Sequence, residues 1–427
     1  MGDDKASESD RDLLDRFQRG AFNYFLEQCD PGTGLVADTN RPGAPASIAV
    51  VGFALTCYLV GVERGWMTRA DAARRTLVAL RFFWNSQQGE QPGATGYKGF
   101  YYHFLDMRTG KRVWQCELSL IDTTLLLAGV LSAGVYFAED DPGEDEIRRL
   151  AEAIYSRVDW CWARGGQSTA RQGWKPESGF LHYGWDGYDE ATILYVLGLA
   201  SPTHALPQDS YLSWTATYQW ENIYGYEYLY AGPLFIHQFS HAWIDFAGIQ
   251  DEFMREKRSD YFESSQRATL VQREYARRNP YEFEGYGEDC WGLSACDGPG
   301  FETLKIGDRP RRFMGYAARG APYGPDDGTL GPCAALASIA FTPALSLSAL
   351  RRLCMRHPEL IQQSRLPGGF NPTWPGGWVS DGCYGLDQGI IVLMIENYRS
   401  GFVWNLMRRC PHIVRGLRRA GFTGGWL

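Results

Sequence analysis

The sequence lacks the patterns that define several common classes of protein. Its 427 residues carry a net charge of −8 without a long block of either sign, so nucleic acid is not an expected partner. The longest apolar runs, residues 48–62 and 123–138, are shorter than the ~20 residues that span a bilayer, so we expect buried helices and no membrane association. The start, MGDDKASESDRD, has no signal-peptide pattern, which predicts a cytoplasmic protein if the chain is complete.

Motifs for metals, nucleotides and serine nucleophiles are also missing. None of the ten cysteines forms a CxxC pair, and the sequence contains neither GxSxG nor GxGxxG. His237 and His241 have the spacing of a zinc-binding helix, but Gln238 stands where HExxH requires glutamate. We therefore expect neither a metal nor a cofactor.

Helical periodicity recurs along the chain with little strand signal, which predicts an all-α fold. Apolar segments alternate with amphipathic ones, a pattern typical of an inner and an outer ring of helices, and thus of an (α/α)6 toroid or barrel. An irregular helical domain or two bundles is the alternative. One catalytic domain over residues 1–427, with a short polar tail at about residues 1–10, is the simplest organisation. The predicted helices span residues 10–29, 47–62, 69–83, 118–137, 145–162, 190–199, 233–246, 260–278, 336–355, 387–404 and 406–420.

Four connections between these helices are long and rich in glycine, proline and aromatic residues. They span residues 88–102, 165–189, 279–331 and 367–385. Loops of this length in a compact domain are usually functional, so we expect them to form the active-site rim.

The segment from residue 179 to residue 245 combines carboxylates with aromatic rings more densely than folding requires. Seven acidic residues share it with thirteen tryptophans and tyrosines. Aromatic rings stack on the apolar faces of sugars, while carboxylates accept hydrogen bonds from hydroxyl groups or transfer protons. The composition therefore favours a carbohydrate ligand.

Two carboxyl groups stand at the predicted starts of apolar helices. In WDGYDEATILYVLGL, Asp189 is the expected N-cap, and Glu190 lies one residue into the helix beside aromatic rings. Partial burial there would raise the pKa of Glu190, as a general acid requires. Asp387 opens the last large apolar helix and is expected on the same rim. Asp122 opens another apolar helix, where a capping role is an alternative.

Five long strings resemble the glucoamylase-like proteins of glycoside hydrolase family 144. They are ELSLIDTTLLLAG, WDGYDEATILYVLGLASPTH, PLFIHQFSHAWIDFAGIQD, NPYEFEGYGEDCWGLSACDGP and YGLDQGIIVLMIENYRSGFVW, and the resemblance runs from about residue 17 to residue 421. It implies an (α/α)6 barrel that hydrolyses β-1,2-glucan with inversion, usually in endo mode, to short sophoro-oligosaccharides. It also implies export to the periplasm or beyond.

The resemblance implies roles for individual residues. Glu190 of the YDEATILY string corresponds to the general acid, and Asp387 of YGLDQG to the general base or its partner. Asp122 corresponds to a substrate-binding carboxylate, and Glu117 is expected to bind a sugar hydroxyl. The remaining residues expected to contact the substrate are Trp185, Tyr188, Gln238, His241, Asp289, Trp291, Trp374 and Trp378.

Three other functions are compatible with the same residues. A β-1,2-glucan transglycosylase would use the same carboxylates but exclude water. An exo-acting enzyme would release a single product such as sophorose. A glucan-binding protein without activity would keep the groove alone. The sequence leaves the oligomeric state open.

Overall fold

Helices dominate the computed structural model, which describes residues 9–358, 361 and 364–427. The polar tail predicted at about residues 1–10 lies mostly outside these described residues. The predicted helical class is confirmed, and no helix in the described part of the chain is long and apolar enough to cross a membrane. The helices are α1 Asp10–Glu27, α2 Ile48–Glu63, α3 Arg69–Asn85, α4 Leu120–Tyr136, α5 Pro142–Ser156, α6 Thr192–Ala200, α7 Gln208–Thr215, α8 Glu252–Lys257, α9 Tyr261–Arg278, α10 Pro332–Ala337, α11 Pro343–Arg356, α12 Gly385–Ser400, α13 Phe402–Met407 and α14 Pro411–Arg419.

Short antiparallel strands, which the sequence did not predict, organise the connections. The largest sheet has the order β2-β3-β5-β6-β7, and five further strand pairs are β1-β4, β8-β9, β10-β13, β11-β12 and β14-β15. The strands are β1 Ala46–Ser47, β2 Gly96–Tyr97, β3 Phe100–Tyr102, β4 Phe104–Leu105, β5 Leu118–Ser119, β6 Gly173–Lys175, β7 Gly179–Phe180, β8 Trp220–Ile223, β9 Tyr226–Leu229, β10 Ala295–Cys296, β11 Thr303–Ile306, β12 Arg309–Arg312, β13 Ala317–Ala318, β14 Phe370–Asn371 and β15 Trp378–Val379.

Buried and amphipathic helices alternate along the first half of the chain. Helices α2, α4 and α6 are almost entirely buried, whereas α1, α3 and α5 each bury one face. Helix α2 packs against both α4 and α12, and α12 also packs against α10. The amphipathic α1 and α5 cover α12 and α4 from outside. The buried and amphipathic helices agree with the alternation of apolar and amphipathic segments in the sequence.

Helices α2 and α4 touch through their backbones at a pair of glycines. A Cβ atom at Gly52 would lie 2.2 Å from the carbonyl oxygen of Leu125, and one at Gly129 would lie 2.0 Å from the carbonyl oxygen of Gly52. Such distances are far inside van der Waals contact, so no other residue fits at either position without moving a helix.

Several predicted helices are interrupted. The one predicted over residues 387–404 is divided at Gly401 into α12 and α13. The segment predicted as a helix over residues 233–246 instead forms two 3-10 turns, Leu234–His237 and Ser240–Ala242, so His237 and His241 do not share an α-helical face. The Ser240 hydroxyl donates to the carbonyl of Glu190 at 3.0 Å and accepts from the Ile193 amide at 3.2 Å, which ties this segment to the start of α6. The helix predicted over residues 336–355 is divided into α10 and α11, since Pro343 starts a new helix.

A buried ion pair holds the long connection between α9 and α10. Arg319 and Asp327 are fully buried and bond through Nε and Oδ1 at 2.7 Å. Arg319 also donates to the carbonyls of Cys296 at 2.9 Å and Gly315 at 3.0 Å, so one guanidinium fixes three parts of this connection.

We expect Arg319→Ala to lower the free energy of unfolding by about 3–5 kcal/mol, because it leaves the Asp327 carboxylate buried without its partner. Thermal and urea unfolding measure this. Arg309→Ala, which removes the exposed pair with Glu282, serves as the matched control and should leave the melting temperature almost unchanged. Equal effects of the two substitutions would contradict the role given to Arg319.

Candidate active site

The first turns of several helices converge on one cavity of about 790 Å³. Its wall includes residues from the starts of α4, α10 and α12. It also includes Glu190, which lies two residues before the start of α6. Helix N-termini carry a partial positive charge, which suits a site built from carboxylates. The charged residues that line it are Asp38, Arg41, His103, Glu117, Asp122, Glu190 and Asp387.

Glu190 lies in the cavity wall, as predicted, but just before α6 and not within it. The helix begins at Thr192 with Ala191 as its N-cap, and Asp189 accepts a hydrogen bond from the Ala191 amide at 3.0 Å. Burial, aided by the nearby charge of Asp122, raises the pKa of Glu190 to about 7. A large fraction of this carboxyl group is therefore protonated at neutral pH, as a proton donor requires.

Asp387 lies in the first turn of α12 and faces the same cavity. Burial, with a smaller effect from the charge of Asp38, raises the pKa of Asp387 to about 7. The structure thus brings together the two carboxyl groups that the sequence predicted as acid and base.

Asp38 is a third carboxylate that sequence reasoning missed. It lies in the connection between α1 and α2 and lines the cavity. Burial raises the pKa of Asp38 to about 6, because the favourable charge of His103 offsets only part of the cost. No motif singled it out, although the Pro- and Gly-rich run that follows it marks a loop.

Asp122 and Glu117 surround one histidine. The Nδ1 atom of His103 lies 2.8 Å from Oε1 of Glu117, and its Nε2 atom lies 3.6 Å from Oδ2 of Asp122. Asp122 also accepts a 2.5 Å hydrogen bond from the hydroxyl of Ser119. Ser119 is the N-cap of α4. Asp122 therefore does not have the capping role that was considered for it. His103 was not predicted as a site residue.

Arg41 ties the cavity rim to the connection between β14 and α12. Its guanidinium donates to Asp381 at 2.7 Å, to Asp297 at 2.5 Å and to the Tyr384 hydroxyl at 3.1 Å. With these bonds the side chain holds residues distant in sequence at one edge of the site.

Aromatic rings supply part of the cavity lining. Trp185, predicted as a groove residue, is there but mostly buried. Trp114 also lines it and is 70% exposed, and its ring packs against Phe104 with 5.1 Å between ring centroids and 59° between the planes. Tyr316 and Tyr384 also line the cavity, with 5.7 Å between their ring centroids. Of these rings, sequence reasoning named only Trp185.

Gln238 lines the cavity as predicted, although its amide nitrogen donates to the carbonyl of Ala334 and the hydroxyl of Ser338. Tyr188 and His241 lie outside the lining. Tyr188 packs among the rings of Tyr218, His237 and Tyr261. His241 is buried, and its Nε2 atom lies 3.1 Å from the hydroxyl of Ser265.

Four other predicted groove residues also lie outside the cavity lining. Asp289 and Trp291 border a separate pocket of about 90 Å³ on the other side of α10, where Asp289 accepts a hydrogen bond from Ser348. Trp374 packs against Phe313 at 4.9 Å between ring centroids, and Trp378 belongs to β15. In this arrangement they do not contact a ligand held between Glu190 and Asp387.

Comparison with known proteins places the chain in a family. A family model described as "Putative glucoamylase" matches residues 182–411, which is more than half of the chain. A crystal structure with the same description, from Bacteroides uniformis, is 31% identical, has a TM-score of 0.88, and the match covers 99% of this chain and 100% of that one. The chain belongs to this glucoamylase-like family.

Two further relatives have described activities. An exo β-1,2-glucooligosaccharide sophorohydrolase (non-reducing end) from Parabacteroides distasonis is 28% identical over 96% of this chain, and the chain spans 58% of that relative's length. An endo-β-1,2-glucanase from Chitinophaga pinensis, solved with sophorotriose and glucose, is 27% identical with a TM-score of 0.84. That match covers 99% of this chain and 100% of the other.

Proposed function

We propose that this protein is a glycoside hydrolase of family 144 that cleaves β-1,2-glucan in endo mode with inversion, giving sophoro-oligosaccharides. One observation carries the proposal: Glu190 and Asp387 line one cavity, and burial raises the pKa of both to about 7. Similarity to two enzymes named for β-1,2-linked glucan substrates supports the choice of linkage.

The proposed chemistry needs one protonated and one ionised carboxyl group. Glu190 donates its proton to the glycosidic oxygen as the bond breaks, and Asp387 accepts a proton from the attacking water, directly or through a substrate hydroxyl. The repulsion between carboxylates in the cavity favours this unequal protonation, because a second ionisation near an existing charge is costly.

The proposal extends to the architecture. Contacts of α2 with α4 and α12, and of α12 with α10, together with amphipathic helices outside them, support a single catalytic domain with an (α/α)6 toroid. The cavity would then occupy one end of the ring, where the N-termini of the inner helices meet.

A time course of products from linear β-1,2-glucan tests the function, with α-glucan and β-1,3-glucan as controls. A spread of short oligosaccharides from the β-1,2 polymer alone is expected, with the α-anomer formed first as inversion of a β-linkage requires. Absence of cleavage on every glucan would contradict hydrolysis.

Exo release of sophorose is the second candidate, favoured by the similarity to the exo-acting sophorohydrolase. Chromatography distinguishes it from endo cleavage, since sophorose would be the only early product and the viscosity of the polymer would fall slowly.

Trp114 is expected to provide a stacking surface for one glucosyl unit. The ring is exposed in the cavity, and both Trp114 and Gln115 adopt left-handed backbone angles, φ 56° and 49°. Such angles cost non-glycine residues ~1 kcal/mol or more, and they concentrate at ligand sites. Trp114→Ala should raise KM about tenfold with little change in kcat, which steady-state kinetics measures. Trp84→Ala, another exposed tryptophan but outside the lining, should change neither constant.

A further inference from the structure

Both ring nitrogens of His103 face carboxylate oxygens. The contact with Glu117 is 2.8 Å at Nδ1, and the contact with Asp122 is 3.6 Å at Nε2. A neutral imidazole carries only one N–H, so one of these nitrogens would present a lone pair to a carboxylate. Only the doubly protonated ring directs a donor toward each of the two groups.

The other groups around His103 also favour the doubly protonated ring. Asp38, from the α1–α2 connection, adds a third acidic group whose charge acts on the ring. The charge of Lys175, in β6, also helps to lower the pKa of Glu117. The ring of Phe104 stacks on the imidazole at 3.9 Å with 12° between the planes, and a cation over an aromatic face is favourable.

A protonated His103 would be a cation placed between Glu117 and Asp122. Among the described charged residues of the lining, Arg41 is the other cation, and its guanidinium is bonded to Asp297 and Asp381 at the rim. Asp122 and Glu117 have the imidazole as their positively charged partner inside the cavity.

We propose that His103, as an imidazolium, is a positioning residue that holds the carboxylates of Glu117 and Asp122 oriented toward the substrate. This inference rests on the proposed hydrolytic function. It gives a residue outside the acid–base pair a part in positioning the carboxylates that bind the substrate.

The directions of the pKa shifts in the site agree with a protonated His103. Burial alone would lower the pKa of His103, but the charges of Asp122, Glu117 and Asp38 outweigh it and raise the value to about 9. Burial acts to raise the pKa of Glu117, yet its bond to His103 leaves it below the usual value. The charge of Asp122 contributes to the raised pKa of Glu190.

A metal ion is the alternative to a proton on His103, because the same three side chains lie close together. Ligand atoms of His103, Glu117 and Asp122 lie within 4.8 Å of one another, close enough to approach a divalent cation. A metal ligand must be a neutral imidazole with a lone pair toward the ion. A bound metal and an imidazolium at His103 therefore exclude each other. The protonation state of His103 distinguishes between the two.

Two substitutions test the role in catalysis. His103→Gln removes the charge, so Glu117 loses the partner that lowers its pKa and should protonate at a higher pH. The deficit in kcat/KM relative to wild type should therefore grow at least ~10-fold between about pH 7.5 and pH 5.5. His103→Lys restores a cation, and its deficit should stay nearly constant with pH. His412→Gln is the matched control, because His412 pairs with Glu152 at 2.8 Å in a different part of the molecule.

A titration of the histidine NMR signals in the substrate-free protein tests the charge without any activity. The His103 signal, assigned by its loss in His103→Gln, should titrate above about pH 8. Titration near or below the ordinary value would overturn the proposal, as would a pH-independent deficit in His103→Gln. A shift of that signal on adding Ca²⁺, Mn²⁺ or Zn²⁺, with a rise in melting temperature, would also overturn it in favour of a metal site. If the NMR result holds while no glucan is cleaved, the proposed function fails and the imidazolium stands.

Discussion

Glu190→Gln is expected to lower kcat on β-1,2-glucan at least ~10²-fold while leaving KM close to the wild-type value. The amide keeps the size and part of the hydrogen bonding of the carboxyl group but cannot donate the proton that the leaving oxygen needs. Because the loss falls on the transition state and not on substrate binding, the two constants should separate. Initial rates over a range of glucan concentrations measure both.

Glu221→Gln is a suitable control for this variant. Glu221 belongs to the same acidic and aromatic stretch of sequence but lies in strand β8, outside the cavity lining. Its substitution should leave both constants unchanged. Full activity in Glu190→Gln would remove this residue from the mechanism and leave the proton donor to another carboxyl group of the cavity.

Asp387→Asn should cause a loss of similar size and change the pH profile. The active form needs Asp387 ionised, so wild-type kcat/KM should fall as pH drops below about 7, where that group gains a proton. It also needs Glu190 protonated, so the rate should fall again as pH rises above about 7. The expected profile is a bell, and its two limbs describe the coupled pair.

Each substitution should remove one limb of that bell. The residual activity of Asp387→Asn should lose its acid limb, and that of Glu190→Gln its alkaline limb. Asp326→Asn is the matched control, since burial also raises the pKa of Asp326, but this carboxylate bonds to Tyr275 and Tyr286 outside the cavity. If the acid limb survives in Asp387→Asn, the base is another carboxylate of the cavity, such as Asp38.

The helices and the active-site loops could be predicted because hydrophobic periodicity reports burial directly. Helix α2 was expected over residues 47–62 and spans Ile48–Glu63, and α9 was expected over 260–278 and spans Tyr261–Arg278. Three of the four long loops supply cavity residues, including Gln172, Tyr316 and Tyr384. The short strands escaped prediction because segments of two to four residues carry almost no periodic signal.

Only part of the site could be predicted, because only some of its residues stand out from their neighbours in the sequence. Glu190, Asp387 and Asp122 stand at the starts of apolar helices, where a charged residue is conspicuous. Asp38, His103 and Trp114 lie in loops and reach the cavity only through tertiary structure, so their neighbours in sequence give no indication of it. Conversely, Tyr188, His241 and Trp291 belong to aromatic sequence but pack against the core, lie within it or border a separate pocket. A dense aromatic stretch does not distinguish a ring that packs from one that binds.

The glycine contact between α2 and α4 bears on how this enzyme family can change its specificity. With Gly52 and Gly129 in backbone contact, the two helices form a wall whose spacing tolerates no larger residue. Substitution at that contact therefore cannot adjust the spacing of α2 and α4 without displacing a helix. Variation in the length of glucan accepted, whether in nature or in the laboratory, should arise from insertions and exchanges in the loops around Asp38, Trp114 and Tyr316, which line the cavity.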